Sequence, residues 1–143
     1  MQTLALVQGD LAIDGTGDYL TFSGVSRIRQ DMTLALTEEH GSDRFHPSWG
    51  SIIKEYLGQP ITPHIEQAVQ AEINRVAQNY IVLQQQEVLR DSQVDVAGRF
   101  DTSDVVRNIS DIRSHTLFDT VYISATLTTL ARETVTISRQ IGL

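Results

Sequence analysis

The spacing of apolar residues changes twice along this chain, and the changes divide it into three stretches. Residues 1–24 alternate weakly: Leu4 to Val7, Leu11 to Ile13 and Tyr19 to Phe22 are separated by turn residues at Gly9-Asp10 and at Asp14-Gly15-Thr16-Gly17-Asp18. Short strands, or an extended arm ending in a hairpin, are expected there. From Val25 the period lengthens. Val25, Ile28, Met32, Ala35 and Leu36 form one helical stripe, with Arg27, Arg29, Gln30 and Asp31 on the other side. Ser23 is placed to cap this helix and Gly41 to stop it.

A loop from Gly41 to Gly50 follows. Pro47 has no backbone donor and biases His46 away from helical geometry. Ser48 to Leu57 reads as a short helix with Trp49, Ile52, Ile53, Tyr56 and Leu57 apolar, closed by Gly58 and Pro60. Thr62 can cap the next helix, and Pro63 suits its first position, where a missing donor costs nothing. Ile65, Ala68, Val69, Ile73, Val76, Ala77 and Tyr80 keep helical spacing. The period continues less cleanly through Leu83, Glu87 and Leu89 to Asp91. That is far longer than the usual helix of about 11–12 residues. Such length predicts packing against something beyond the chain; a break near Asn79 is the competing reading.

In the last third the period falls to two. Thr102 can cap a single helical turn through Arg107. Ile109 to Leu117, Val121 to Leu130 and Thr134 to Ile141 are rich in Thr, Val and Ile. In the middle run Val121, Ile123, Ala125, Leu127 and Thr129 share a face; Tyr122, Ser124, Thr126 and Thr128 take the other. Short turns at 118–120 and 131–133 suit hairpins, so an antiparallel meander is expected. Val94 to Phe100 can add a fourth strand, with Gly98 marking a bend. The expected class is α+β: an N-terminal arm over 1–24, then a single domain over 25–143 with two to three helices, one of them long, and a C-terminal antiparallel sheet.

At 143 residues the chain fits one domain. With 18 acids against 11 bases the net charge is −7, and Lys54 is the sole lysine among scattered arginines. Nucleic acid is a poor partner for such a surface. No apolar stretch nears the roughly 20 residues that cross a bilayer. The start lacks the basic segment and cleavage site of a signal peptide, so a cytoplasm-like compartment, or release by lysis, is expected. The absence of cysteine excludes disulfides and thiolate metal sites.

Residues that could carry chemistry are sparse. His40, His46, His64 and His115 lack the i, i+4 spacing of a helical metal site. Neither a nucleophile elbow nor a phosphate loop occurs, and Gly15-Thr16-Gly17 reads as a turn. Glu38, Glu39 and Asp43 near Trp49 could supply the two carboxyls of a glycosidase. With so many acids, however, a charged helix end explains them better. No catalytic residue, cofactor or metal is expected.

One stretch is distinctive: Gln30-Asp31-Met32, Leu34-Ala35-Leu36-Thr37, then Gly41-Ser42-Asp43-Arg44-Phe45-His46-Pro47-Ser48-Trp49-Gly50-Ser51. It resembles the baseplate wedge, or tail-sheath-initiator, family of contractile phage tails and related injection systems. In that family a helix, a glycine-led loop with an arginine, an aromatic and a proline, and an aromatic-glycine pair lead into further helix and a C-terminal antiparallel sheet. The order matches the pattern from Val25 to Ile141. A Glu-Pro-Arg stretch common in the family where the long helix gives way to the sheet is missing here; the corresponding region reads Gln78-Asn79-Tyr80-Ile81-Val82-Leu83. The resemblance implies a structural, non-enzymatic subunit of a tail baseplate, assembled in the host cytoplasm. It implies about six copies around the tail tube, with other wedge subunits and the tube or sheath protein as partners. A cell-wall glycan hydrolase, with Glu38 or Glu39 as acid and Asp43 as partner, and a small regulatory adaptor of the same fold are the alternatives.

Three sets of residues are therefore of interest. Arg44, Phe45, Pro47, Trp49 and Gly50 form the expected structural motif, with Phe45 and Trp49 buried against Val25, Ile28 and Met32, and Arg44 bonded to backbone or a carboxylate. Ile81, Val82, Leu83, Val88 and Leu89 are more apolar residues than one stripe needs, and so predict a partner surface. Val135, Thr136 and Ile137 lie in the last strand, where a neighbour can add a strand to the sheet.

Overall fold

The computed structural model describes residues 1–56, 58–60, 62–93 and 100–142. Four two-residue strands open the chain: β1 (Thr3–Leu4), β2 (Leu6–Val7), β3 (Asp10–Leu11) and β4 (Thr21–Phe22). β2 and β3 pair as a hairpin across Gln8-Gly9, both at positive φ, and β1 pairs antiparallel with β4. The turn residues named above thus mark both bends. The side chain of Gln30 ties this arm to the first helix: its Oε1 accepts from Leu6 N–H and its amide donates to Leu4 O.

Helix α1 (Gly24–Thr37) buries Ile28, Met32, Ala35 and Leu36, the stripe read from spacing. Ser23 occupies the N-cap position, but its side chain makes no capping bond. Asp104 Oδ1 instead accepts from Gly24 N–H at 2.6 Å. Gly41 lies beyond the helix end, which is set by Glu38 in an extended conformation. The expected short helix at 48–57 reduces to a single 3-10 turn, Ile53–Tyr56. Helix α2 (Pro63–Gln93) runs 31 residues without a break at Asn79. The side chain of Asn79 instead donates to Ser48 O, pinning the preceding loop.

Strands β5 (Val106–Leu117), β6 (Thr120–Thr129) and β7 (Thr134–Gly142) form one antiparallel sheet in that order. The expected helical turn from Thr102 to Arg107 does not form: Thr102–Asp104 is a tight turn and β5 begins before Arg107. Residues 94–99, most of the expected fourth strand, lie outside the described residues, and Phe100 is not in a strand. Along β6 the alternation is strict: Val121, Ile123, Ala125, Leu127 and Thr129 are buried. Val106, Val135 and Ile137 join them, and both helices cover this face, α2 over β5 and β6 and α1 over β7. The architecture is α+β, a helical layer on one side of an antiparallel sheet.

Candidate functional site

The loop between the helices is closed by backbone bonds and then bolted to α2. Ser51 N–H donates to Glu38 O, His40 N–H to Ser51 O and Gly41 N–H to Trp49 O, so the segments before and after the loop run side by side. Ser51 Oγ, buried, donates to Leu36 O. From α2, Glu72 Oε1 accepts from Ile52 N–H at 2.9 Å, while Arg75 bonds both Glu72 and, at 2.8 Å, Gly50 O. Glu72 is 5% exposed. Burial alone would push its carboxyl up, but the bonds from Arg75 and Ile52 outweigh it and hold it below its ordinary value.

This arrangement divides the five motif residues. Gly50 is buried, and Trp49 is half-buried, packing on the core, tilted against Tyr80 and donating from Nε1 to Glu38. The expectation for Phe45 fails: it is 87% exposed. Arg44 and Pro47 are exposed too, and among the described residues Arg44 makes no ion pair. The cause is local. Asp43 accepts from Phe45 N–H and from His46 Nδ1, an Asx-type turn that leaves Phe45 at the exposed loop tip, while the anchors lie at 38–42 and 48–52. Trp49→Ala is therefore expected to cost about 2–3 kcal/mol, less than the roughly 3–5 of a fully buried aromatic. Phe45→Ala should stay within about 0.5 kcal/mol of wild type. Urea denaturation of the two variants distinguishes anchor from tip.

The acids at the loop are engaged locally. Glu38 accepts from Trp49, and the bonds from His46 and Phe45 hold Asp43 below its ordinary value. Glu39 contributes its backbone to the loop closure. Glu38 and Glu39 are exposed and Asp43 is half-buried, so none of the three is a carboxyl enclosed in an apolar pocket. Among the described residues no group of three or more His, Asp or Glu could hold a metal ion, and no helix is long and apolar enough to cross a membrane.

The two expected partner surfaces are also redrawn. Ile81 is buried and belongs to the chain's own core, whereas Val82 and Leu89 are 47% and 62% exposed and Leu83 and Val88 partly so. Val82 and Leu89 stand seven residues apart, two turns up one flank of α2. In β7, Val135 and Ile137 point into the core, so neither side chain can meet a partner. Thr136 is exposed on the outer face. What β7 leaves open is its backbone edge, since among the described residues only β6 pairs with it. Arg139 clamps the strand to α1, reaching Thr37 Oγ1 and, at 3.5 Å, Thr33 O.

Spacing gave no hint of a polar network buried between α1 and α2. Arg27, read as a polar-side residue, is 4% exposed, with Asp31 and Glu87 at 3.4 and 3.6 Å. Tyr80 donates to Asp31, and Gln84 donates to Tyr80 and to Asp104 O while accepting from Val106 N–H. Burial raises both the Asp31 carboxyl and the Tyr80 hydroxyl above their ordinary values. Burial acts the same way on Asp104, but bonds from the Met1 ammonium, Asp101 N–H and Gly24 N–H prevail and lower it.

A pH dependence follows. Glu72 and Asp104 have depressed folded values, so their contribution is complete above the ordinary 4.5 and 3.8 and is lost as pH falls through the lower folded values. Asp31, raised, runs the other way and gains on acidification. Among the described residues Asp14, Asp43, Glu72 and Asp104 are lowered and only the Asp31 carboxyl is raised, which predicts a melting temperature that drops below about pH 4.5. A steeper fall in wild type than in Glu72→Gln or Asp104→Asn is the expected record.

No protein-family model and no curated protein matches the sequence. Among solved structures, one from Geobacter sulfurreducens described as a "putative tail lysozyme" superposes with a TM-score of 0.51 at 9% identity, over 82% of this chain and 88% of that one. At that identity the likeness concerns the fold alone: this chain shares the fold of a protein described as a tail lysozyme.

Proposed function

We propose that this protein is a structural subunit of the tail baseplate of a phage or phage-like injection system, and that it works by presenting the free edge of β7 to a neighbouring chain. The observation that carries the reading is that edge. Nine residues, Thr134–Gly142, pair with β6, and among the described residues no strand pairs on the other side. An open, regular strand edge without proline is a liability in an isolated domain and a template in an assembly. The likeness to a tail protein supports the setting, and the loop motif resembling the wedge family supports the role. In that role about six copies surround the tail tube, meet other wedge subunits, and accept a strand from the sheath or tube protein. The subunit is built in the host cytoplasm and carried in the virion tail, without an enzymatic step.

In an antiparallel ladder, successive residues point their N–H groups alternately toward the partner strand and away from it. Of Thr136→Pro and Ile137→Pro, one therefore spares the β6 ladder and blocks only the outer edge. That variant should fold, as judged by circular dichroism, yet fail to restore particles in a strain lacking the gene. Val82→Glu with Leu89→Glu should behave alike if the α2 flank is a second contact. Normal particles from a folded edge variant would remove β7 from the reading.

The hydrolase alternative draws on the neighbour's name. Peptidoglycan cleavage that disappears with Glu38→Gln or Asp43→Asn would favour it over the structural role.

A further inference from the structure

A cavity of about 300 Å³ opens beside the polar network, between α1, α2 and the first strand. Its volume is at the lower end for small-ligand sites, enough for one small acid or one side chain. Arg27 lines it, and although the guanidinium is buried, Nε and Nη1 have no hydrogen-bond acceptor among the described residues. Thr3, on the same wall, has a buried hydroxyl without a partner. The carboxylates nearest Arg27 stop short of hydrogen bonds: Asp31 stands 3.4 Å from Nε and is already bonded to Tyr80, and Glu87 stands 3.6 Å from Nη2. The ring of Phe100 lies 5.6 Å from the guanidinium carbon, a cation–π contact that leaves the in-plane donors unused. Trp49 and Leu83 supply apolar wall.

A planar guanidinium with idle donors in a partly apolar pocket matches a carboxylate, which accepts from the two Nη atoms as a fork. A doubly charged phosphate fits worse, because Asp31 and Glu87 are close enough to repel it. Glu87 is the movable group: its side chain is 43% exposed and sits near the opening. We propose that this cavity binds one carboxylate group from outside the chain on Arg27, and that Glu87 is the resident competitor the ligand displaces. The site is independent of the β7 edge and of the baseplate reading.

The test is a titration of the ¹⁵N-labelled full chain, following the Nε–H resonance of Arg27. That resonance is identified by the ring-current shift from Phe100, which Phe100→Leu abolishes. Sodium acetate and the capped tripeptide acetyl-Ala-Glu-Ala-amide should each move it saturably, and sodium chloride at equal ionic strength should not. In Glu87→Gln, with the competitor neutral, carboxylate affinity should rise roughly fivefold or more. Tighter binding of the tripeptide marks an acidic side chain of a partner protein as the ligand; binding of acetate alone marks a free small acid. No movement with either probe, equal movement with chloride, or unchanged affinity in Glu87→Gln would overturn the proposal.

Discussion

Gly50→Ala is expected to destabilise the fold by about 3–5 kcal/mol, through strain and overpacking together. Gly50 adopts a φ of 90°, a region that L side chains rarely occupy. A Cβ built there would sit 2.5 Å from Glu39 O, 2.7 Å from Glu39 C and 2.9 Å from His40 N. All three are backbone atoms, and they belong to the strand-like pairing of Glu39 with Ser51, so no side chain can swing aside to relieve the clash. Relief requires opening the loop, which would also break the bond from Arg75 to Gly50 O. For a chain of this size the cost corresponds to a melting temperature lower by roughly 10 °C or more. An alanine variant melting within about 2 °C of wild type would show that the loop closure contributes little to stability.

Glu72→Ala should cost less, about 2–3 kcal/mol, for a different reason. The carboxylate is buried and serves two donors, Ile52 N–H and the Arg75 guanidinium. Deleting it strands Ile52 N–H, whereas Arg75, 39% exposed, keeps its bond to Gly50 O and can turn its other donors to water. Glu72→Gln keeps the shape and one acceptor, and should cost about half as much. The two loop anchors share partners, so the double variant Gly50→Ala, Glu72→Ala should lose less than the sum of the single losses. Additive losses in urea denaturation would mean that the two contacts act separately.

The repeating elements were legible because burial has a period. Helix α1 and strands β6 and β7 match their expected spans closely, since one face of each meets a single continuous core. Helix α2 was legible from its proline start and its stripe, and a few polar residues at its far end did not interrupt it. The loop was misread in a specific way. Phe45 and Trp49 look alike as large aromatics, but Asp43 turns the chain between them, and a local carboxylate decided which of the two is anchored. Arg27 was misread for the converse reason. Hydrophobic spacing places it among the polar residues, and its burial depends on Glu87 and Phe100, which no local spacing brings to the i,i+4 pair of Arg27 and Asp31. Ile81 was placed among the partner residues because an apolar surplus in sequence does not reveal which members the core absorbs. The open edge of β7 was legible because the last strand of a meander lies at the margin of its sheet.

Helix α1 is held at each end by residues that leave the ribosome much later. Its first amide waits for Asp104, 80 residues on, and its last turn waits for Arg139, more than 100 residues on. At a synthesis rate of about 5–20 residues per second, Asp104 follows Gly24 by roughly 4–16 s. During that interval a nascent α1 lacks its N-terminal cap, its apolar stripe faces no sheet, and the arm before it has only Gln30 to hold it. Folding of this unit thus waits until β7 has been made. Of the three sheet strands the edge of β7 is the last to be made, when the core that orients it is ready to close.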